Sequence, residues 1–288
     1  MREVMDILFP GQPVFPDGIA GKQGYMLRHL WMVTAVILKA NLGRPIRVLE
    51  IGSWVGFSAL TWAEAIRIHV PEKGTILCID PWERYLPEAE VAKGPHYLGM
   101  HQAASLDIAY SVFRHNIAVA SGPVRVDHFR GRSREVLPYL TGKQFDIVFI
   151  DGAHGYADVT FDIAETKRLV RDDGFICGDD LELQLDEVDP AFAETKKEED
   201  YLNDPKTGRP FHPGVCVAVH EAFGKVSCYT GFWIMQVRGN AYEPVVFQSI
   251  KTFIPTHFDA KYKDMIMEEL RTMGLTGPAS AAPGAPAR

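Results

Sequence analysis

Four side chains in the second half of the chain have types and spacing that could do chemistry: Asp151, His154, Asp179 and Asp180. Three carboxylates brought together repel one another, so either a proton or a hard cation must sit among them. We read the set as a cation site. A neutral imidazole beside such a site could take a proton from a hydroxyl, because its ordinary pKa lies near neutrality. Taken singly, each residue has a plainer account. Asp179 and Asp180 could be solvated acids beyond a strand end, and His154 a surface residue in a glycine-rich loop. The combination is what points to chemistry.

The elements that must bring these residues together are legible between Phe145 and Asp180. Phe145-Asp-Ile-Val-Phe-Ile is a short apolar run rich in β-formers and suits a strand buried on both faces. It ends at Asp151, where Gly152 allows a tight turn. Val159, Ile163, Leu169 and Val170 predict a helix from Tyr156 to Val170, which Asp173-Gly174 breaks. Phe175-Ile-Cys then begins a second buried strand that ends in Asp179-Asp180. Parallel strands joined by a right-handed crossover set their C-terminal ends side by side. The three aspartates therefore share the edge at which open α/β sheets bind ligands.

A second constellation lies earlier. Arg47-Val-Leu-Glu-Ile-Gly reads as a strand entering the turn Gly52-Ser53-Trp-Val-Gly56, with a helix from about Phe57 to His69. Such a turn lets backbone approach a ligand closely, and the helix N-terminus beyond it favours polar or anionic groups. The spacing is Gly-x-x-x-Gly, not the Gly-x-Gly-x-x-Gly of dinucleotide enzymes. Asp80 ends the next strand, 74–80, where it is placed to accept hydrogen bonds from ribose hydroxyls.

The remaining expectations follow the same alternation. Residues 1–22 read as an extended arm and Gln23 to Leu42 as a helix whose apolar side covers the sheet or a partner subunit. Pro81 to Tyr97 reads as a loop, Met100 to Ala120 as one helix, and Val124 to Phe129 as a third strand. Ser133 to Leu140 is a short helix cut by Pro138. Residues 182–213 are acidic and without a period, like a lid above the carboxylate edge. A helix over 214–223, two antiparallel β-segments over 226–230 and 232–237, and a last helix over 262–273 follow. The fold class expected is α/β, a Rossmann-like doubly wound sheet. It is mostly parallel with an antiparallel C-terminal strand pair, and helices lie on both faces. The organisation is an arm and helix over 1–44, the main domain over 45–240, an extension over 241–275 and a disordered tail over 276–288.

Composition sets outer bounds. A net charge of −7 gives no footprint for nucleic acid or an anionic membrane. No apolar run approaches the ~20 residues that span a bilayer. The four cysteines, at 78, 177, 216 and 228, are too scattered for a metal knuckle. With no secretory pattern at the N-terminus, a cytoplasmic protein is expected.

The Glu-x-Gly-x-x-x-Gly turn, Asp80 and the Asp151 to Asp180 segment together resemble the class I S-adenosylmethionine-dependent methyltransferases. Ile150-Asp-Gly-Ala-His-Gly-Tyr with Gly178-Asp-Asp is similar to one branch, the metal-dependent O-methyltransferases of the catechol and especially the macrolide-sugar type. The resemblance covers about residues 45–240. It implies that Glu50, Gly52 and Ser58 line the methionine part of the cofactor, with Ser53 and Gly56 in the same turn. It implies that Asp80 holds the ribose, that Trp82 packs on adenine or ribose, and that Gly131-Arg132-Ser133 meets the adenine edge. Asp151, which also adjoins the cofactor, Asp179 and Asp180 match the metal ligands, with magnesium the usual ion. His154 falls where the catechol type has a lysine and the sugar type a histidine, which turns the acceptor toward a sugar or other polyhydroxylated small molecule. A homo-oligomer is in keeping with the family. Two rivals stand beside this reading: a nucleoside-binding module without catalysis, and a nicotinamide-dependent oxidoreductase.

Overall fold

The β-branched and aromatic runs of the chain are assembled side by side in one sheet, which sets the position of everything else. The computed structural model describes residues 2–16, 19, 26–84, 88–92, 94–247 and 253–274. In chain order, α1 (Arg2–Leu8) and α2 (Arg28–Leu38) precede β1 (Ile46–Ile51), α3 (Phe57–His69) and β2 (Gly74–Asp80). Then come α4 (Glu88–Val91), α5 (Pro95–Ser105), α6 (Ile108–Ala120), β3 (Arg125–Arg130) and α7 (Ser133–Val136). β4 (Phe145–Ile150), α8 (Tyr156–Lys167) and β5 (Val170–Gly178) form the crossover unit. α9 (Pro190–Thr195), β6 (Leu202–Asn203), β7 (Pro210–Phe211) and α10 (Pro213–Phe223) follow. The described chain closes with β8 (Ser227–Tyr229), β9 (Phe232–Arg238), β10 (Ala241–Pro244) and α11 (Ala260–Thr272).

The strand order is β3-β2-β1-β4-β5-β9-β10, with β8 also on β9. β1 to β5 run parallel, and β9 lies antiparallel against β5. The outer edge of β9 is covered in two pieces, β8 along Phe232 to Ile234 and β10 along Met235 to Arg238. The antiparallel part is thus three strands, not the expected pair, and the sheet continues past residue 240.

Alternation along the strands divides the core in two. Val48, Ile76, Cys78, Ile147, Phe149, Phe175, Cys177 and Ile234 pack against Trp31, Val36, Trp62, Ile66 and Phe113 of α2, α3 and α6. Leu49, Ile51, Ile79, Val148, Ile150, Ile176, Trp233 and Met235 pack against Val159, Ile163, Val215 and Val219 of α8 and α10. Each such side chain contributes about 1.5–3 kcal/mol when taken from water. Residues Arg28 to Val36 are all buried within the chain, so α2 covers the sheet, and its apolar side is not open to a partner.

Several expectations are corrected. The N-terminal arm begins as a helix, α1, because buried His115 and Asn116 of α6 tether it. His115 contacts Asp6 Oδ1 at 2.6 Å and the Gln12 carbonyl at 2.8 Å, and Asn116 pairs with the Val14 backbone in both directions. The expected helix over 100–120 is two, since Asp107 adopts a left-handed φ of 59° between α5 and α6. The loop over 81–97 holds α4 and the start of α5. The lid-like segment carries α9 and the β6–β7 hairpin, ordered by fully buried Asp204, which accepts from Asp189 N at 2.8 Å and Thr207 N at 2.7 Å. The tail over 276–288 lies outside the described residues. Among the described residues no helix is long and apolar enough to cross a membrane.

At the sheet end opposite the aspartates, Asp146 of β4 fastens the strands. Its buried carboxylate accepts from Arg44 at 2.6 and 3.0 Å, Arg47 N at 2.8 Å and Arg171 at 2.9 Å. Burial would raise its pKa, but these donors hold it below the ordinary carboxylate value. Its stabilisation is therefore present above the unfolded-state value and is lost as pH falls through the folded-state one. Asp146→Ala is expected to cost about 1–3 kcal/mol in denaturant unfolding at neutral pH, with the difference from wild type shrinking in acid.

Candidate active site

The sheet reverses its order between β1 and β4, and the chain's conspicuous residues meet at that switch point. Gly52, leaving β1, has φ +85° and presses on the turn that leaves β4: a Cβ there would lie 1.7 Å from the Asp151 carbonyl oxygen. Asp151 N donates to Ile51 O at 2.9 Å across the same junction. Only glycine allows the two turns to touch. A cleft of about 770 Å³ opens above them, lined among others by Gly52, Ser53, Ser58, Asp80, Arg132 and Ser133 on one side. Asp151, His154, Asp179 and Asp180 line the other.

On the first side, Glu50 is wholly buried beneath the turn. Burial pushes its carboxyl up to about 8, against the pull of the Ser53 and Ser58 hydroxyls. Oε2 of Glu50 and Oγ of Ser53 are buried without a hydrogen-bond partner among the described residues. Such orphaned atoms fit a cofactor with polar groups at this spot. Asp80 accepts from Trp54 N at 2.9 Å and Trp82 N at 2.6 Å, so it braces the turn while facing the cleft. Burial raises its pKa, and these amides work against that. Asp162 of α8 also lines the cleft with Oδ1 unpartnered, and burial holds it at about 7.

Besides Glu50 and Gly131, two further expected residues, Trp82 and Gly56, do not line the cleft. The Trp82 indole packs in the core among Tyr110, Phe113 and His128 and donates from Nε1 to the Trp54 carbonyl. It supports the floor of the turn and cannot stack on a ligand. Gly56 serves as the N-cap of α3, beside the Phe113 ring.

On the second side, the aspartates converge, but not as a shared ligand set. The groups whose ligand atoms lie within 4.8 Å of one another are Asp151, His154 and Asp180; Asp180, Glu182 and His212; and His154, Asp200 and His212. Asp179 is in none of them. It pairs with Arg28 at 2.7 Å, and the same Nη1 reaches Asp180 at 2.8 Å while Nη2 reaches Glu182 at 2.9 Å. The three expected metal ligands therefore do not fit one cation in this arrangement: a guanidinium stands between two of them.

His154 is engaged at both nitrogens, Nε2 with Asp180 at 3.0 Å and Nδ1 with Asp200 at 2.6 Å. Burial alone would lower its pKa, but Asp180 and Asp200 raise it well above the ordinary imidazole value. Both ring nitrogens are thus held by carboxylates, so in this arrangement neither is free to take a proton from a hydroxyl, which counts against its expected role as the base. Burial pushes Asp151 well up, with Asp179 and Asp180 adding repulsion, and among the described residues it makes no ion pair. Burial also lifts Asp179 to about 7 against the pull of Arg28, whereas His212, His154 and Arg28 outweigh burial and hold Asp180 well below the carboxylate range.

Arg28, Glu182, Asp200 and His212 complete this side; sequence reasoning left His212 open between the active-site rim and a turn before a helix, and gave the other three no role. Arg28 had a signal: it is a charged residue in the apolar run from Tyr25 to Leu38. Glu182 and Asp200 sit in an acidic stretch where no acid differs from its neighbours. His212 begins α10 and packs its ring 4.4 Å from that of His154 and 4.7 Å from that of Tyr201.

Comparison with known proteins bears on this site. Residues 49–181, from β1 through the glycine turn to just past Asp180, match the family described as a methyltransferase domain. Among curated proteins the chain is similar to the O-methyltransferase hkm8 of Aspergillus hancockii, 29% identical over 141 residues, which are 49% of this chain and 45% of that protein. The chain thus spans less than half the length of that relative. Among solved structures it is similar to the O-methyltransferase TomG from Streptomyces achromogenes, involved in tomaymycin synthesis and solved in complex with SAM. The identity is 20%, over 72% of this chain and 80% of that one, with a TM-score of 0.38. It is also similar to the O-methyltransferase NovP, at 16% identity over 74% of this chain and 79% of that one, with a TM-score of 0.48.

The contact between the two turns can be tested by adding one methyl group. Gly142 has φ +73° and open space around it, so Gly142→Ala should cost only the left-handed backbone penalty of about 1–2 kcal/mol. Gly52→Ala must also separate β1 from the Asp151 turn and should cost clearly more by thermal or denaturant unfolding. Equal losses would mean that the junction yields freely.

Proposed function

We propose that this chain, whose residues 49–181 match the methyltransferase-domain family, is an S-adenosylmethionine-dependent O-methyltransferase acting on a small molecule. The observation that carries the reading is a cleft in which the glycine turn, with Gly52, Ser53 and Ser58 on its wall and Glu50 buried beneath, faces a carboxylate edge. Glu50, Gly52, Ser53 and Ser58 would hold the methionine end of the cofactor, Asp80 the ribose, and Arg132 and Ser133 the adenine edge. Bound there, S-adenosylmethionine supplies a sulfonium methyl whose C–S bond breaks as the acceptor oxygen forms its O–C bond, leaving a neutral thioether. The acceptor is a hydroxyl. A polyhydroxylated ring such as a sugar suits a rim that presents Glu182, Asp200, Tyr201 and His212.

The chain's own residues must orient that hydroxyl and receive its proton. We assign the proton to Asp151, which lines the cleft beside the glycine turn and can accept it only when ionised: burial and the neighbouring aspartates oppose that form, and the charge of nearby His154 favours it. His154, clamped between Asp180 and Asp200, holds the wall in place and can donate a hydrogen bond only by releasing one of those partners. The burial of the whole edge excludes water and strengthens each of these interactions. A divalent metal is no part of this proposal, since the expected ligands do not converge.

Calorimetric titration tests the cofactor assignment. S-adenosylmethionine should bind, more weakly in Asp80→Asn, and NADH should not. A cationic ammonium placed against Glu50, held at about 8, lowers that pKa, so binding at pH 7 should release protons, visible as a heat that depends on the buffer. Asp151→Asn should keep cofactor binding and reduce methylation of a panel of hydroxylated small molecules by about 10²–10⁴-fold. Binding of NADH alone would replace this reading with the oxidoreductase one.

A further inference from the structure

We propose that Arg28 is the resident cation of the carboxylate edge, holding the place a divalent metal would take, so that methyl transfer at this site runs without one. The proposal rests on the methyltransferase reading above, but its test does not.

Arg28 opens α2, and its side chain is only 7% exposed. Nη1 lies 2.7 Å from Asp179 and 2.8 Å from Asp180, Nη2 lies 2.9 Å from Glu182, and Nε donates to the Thr230 carbonyl at 2.6 Å. Two separate segments, 179–182 and the turn at Thr230, thus converge on one guanidinium. The backbone is also shaped around it: Gly231, at φ +96°, would set a Cβ 2.2 Å from Nη2 and 2.4 Å from Cζ. Any other residue at 231 would expel the side chain. A buried arginine is tolerated only when its charge is paired, and here it is paired with two of the three aspartates that a metal would need, Asp180 through a hydrogen bond and Asp179 through charge alone.

Geometry makes the two cations alternatives. A magnesium-type ion needs carboxylate oxygens at about 2.0–2.1 Å in near-octahedral order. The oxygens of Asp179 and Asp180 are already turned to Nη1, and Asp180 also serves His154. Like charges at such short range in a buried site repel strongly, and a dication beside the guanidinium doubles the repulsion of a single charge. Arg28 also lines the cleft, so its fixed charge faces an acceptor oxygen bound there. A guanidinium offers hydrogen bonds and charge without Lewis acidity and does not lose its proton. Arg28 is in this sense a positioning residue for the carboxylates and a constant positive field for the acceptor.

The test uses Mn²⁺ alone, followed by electron paramagnetic resonance of the free ion and by the shift of thermal unfolding. Wild-type protein should bind no Mn²⁺ at this edge. Arg28→Ala should gain affinity at least about tenfold, and the gain should disappear in Arg28→Ala/Asp180→Asn. If Arg28→Ala does not melt cooperatively, Arg28→Gln, which keeps the stem and removes the charge, should show the same gain. Arg28→Lys, which keeps a charge, should not. Mn²⁺ binding by the wild type that is lost in Asp180→Asn would overturn the proposal, as would absence of binding in every folded Arg28 variant. Failure of S-adenosylmethionine to bind would instead strike the proposed function and leave this readout intact.

Discussion

The crowding of Asp151, Asp179, Asp180, Glu182 and Asp200 around one end of the sheet is the constraint to which the rest of the structure answers. Carboxylates this close cannot all stay ionised without compensation. The compensation comes from far along the chain: Arg28 from the N-terminal helix, His154 from the turn after β4, and His212 from the start of α10. Each of these must fold onto the edge for the edge to exist. The charge pattern therefore does part of the work of fastening α2 and the 182–213 segment to the sheet, beyond what their apolar residues contribute. What stays uncompensated is displaced in pKa, with Asp151 and Asp179 pushed up and Asp180 held down. One cluster thus contains carboxylates of opposite character.

A steric constraint fixes the other half of the cleft. β1 and β4 are neighbours whose following turns must both pass over the sheet's end, and Gly52 against the Asp151 carbonyl is where they collide. Because Gly52 yields, Ser53 sits within the same cavity as the carboxylate edge, with Glu50 buried beneath the turn. Asp80 completes the arrangement by tying Trp54 N and Trp82 N to the end of β2. The left-handed φ of Trp54 and Trp82, 42° and 49°, shows the backbone held in a conformation that only such bracing keeps.

How much of this could be read in advance follows from the range of the interactions. The strands and the switch point were legible because buried strands are short apolar runs, and Gly52 and Asp80 sit at their ends. The left-handed break at Asp107 was not, since an aspartate inside a helical pattern carries no mark of its φ. Nor was the order in 182–213, which rests on buried Asp204 and on unevenly spaced apolar anchors, Leu183, Val188, Ala193 and Phe211, and not on a period. Trp82 was misplaced because an aromatic residue next to a ligand-binding acid reads the same whether it faces the cleft or the core. The candidate site was legible as a set of residues on one edge, and illegible in its pairing, because Arg28 reaches Asp180 across 152 positions.

That pairing changes what the same residue types mean. Three acids and a histidine beside open coordination sites would be ligands and a base. Around a buried guanidinium they become anchors and a clamp: Asp179 and Asp180 are spent on Arg28, and Asp180 and Asp200 keep the proton on His154. In the proposed reaction the proton then falls to Asp151, which lines the cleft, makes no ion pair among the described residues and lies with its backbone carbonyl against Gly52. The shift needs no change in any of the four residues first singled out. It needs only a remote arginine and a glycine at 231 bare enough to admit it, which is why local motifs define the edge while a distant side chain decides its chemistry.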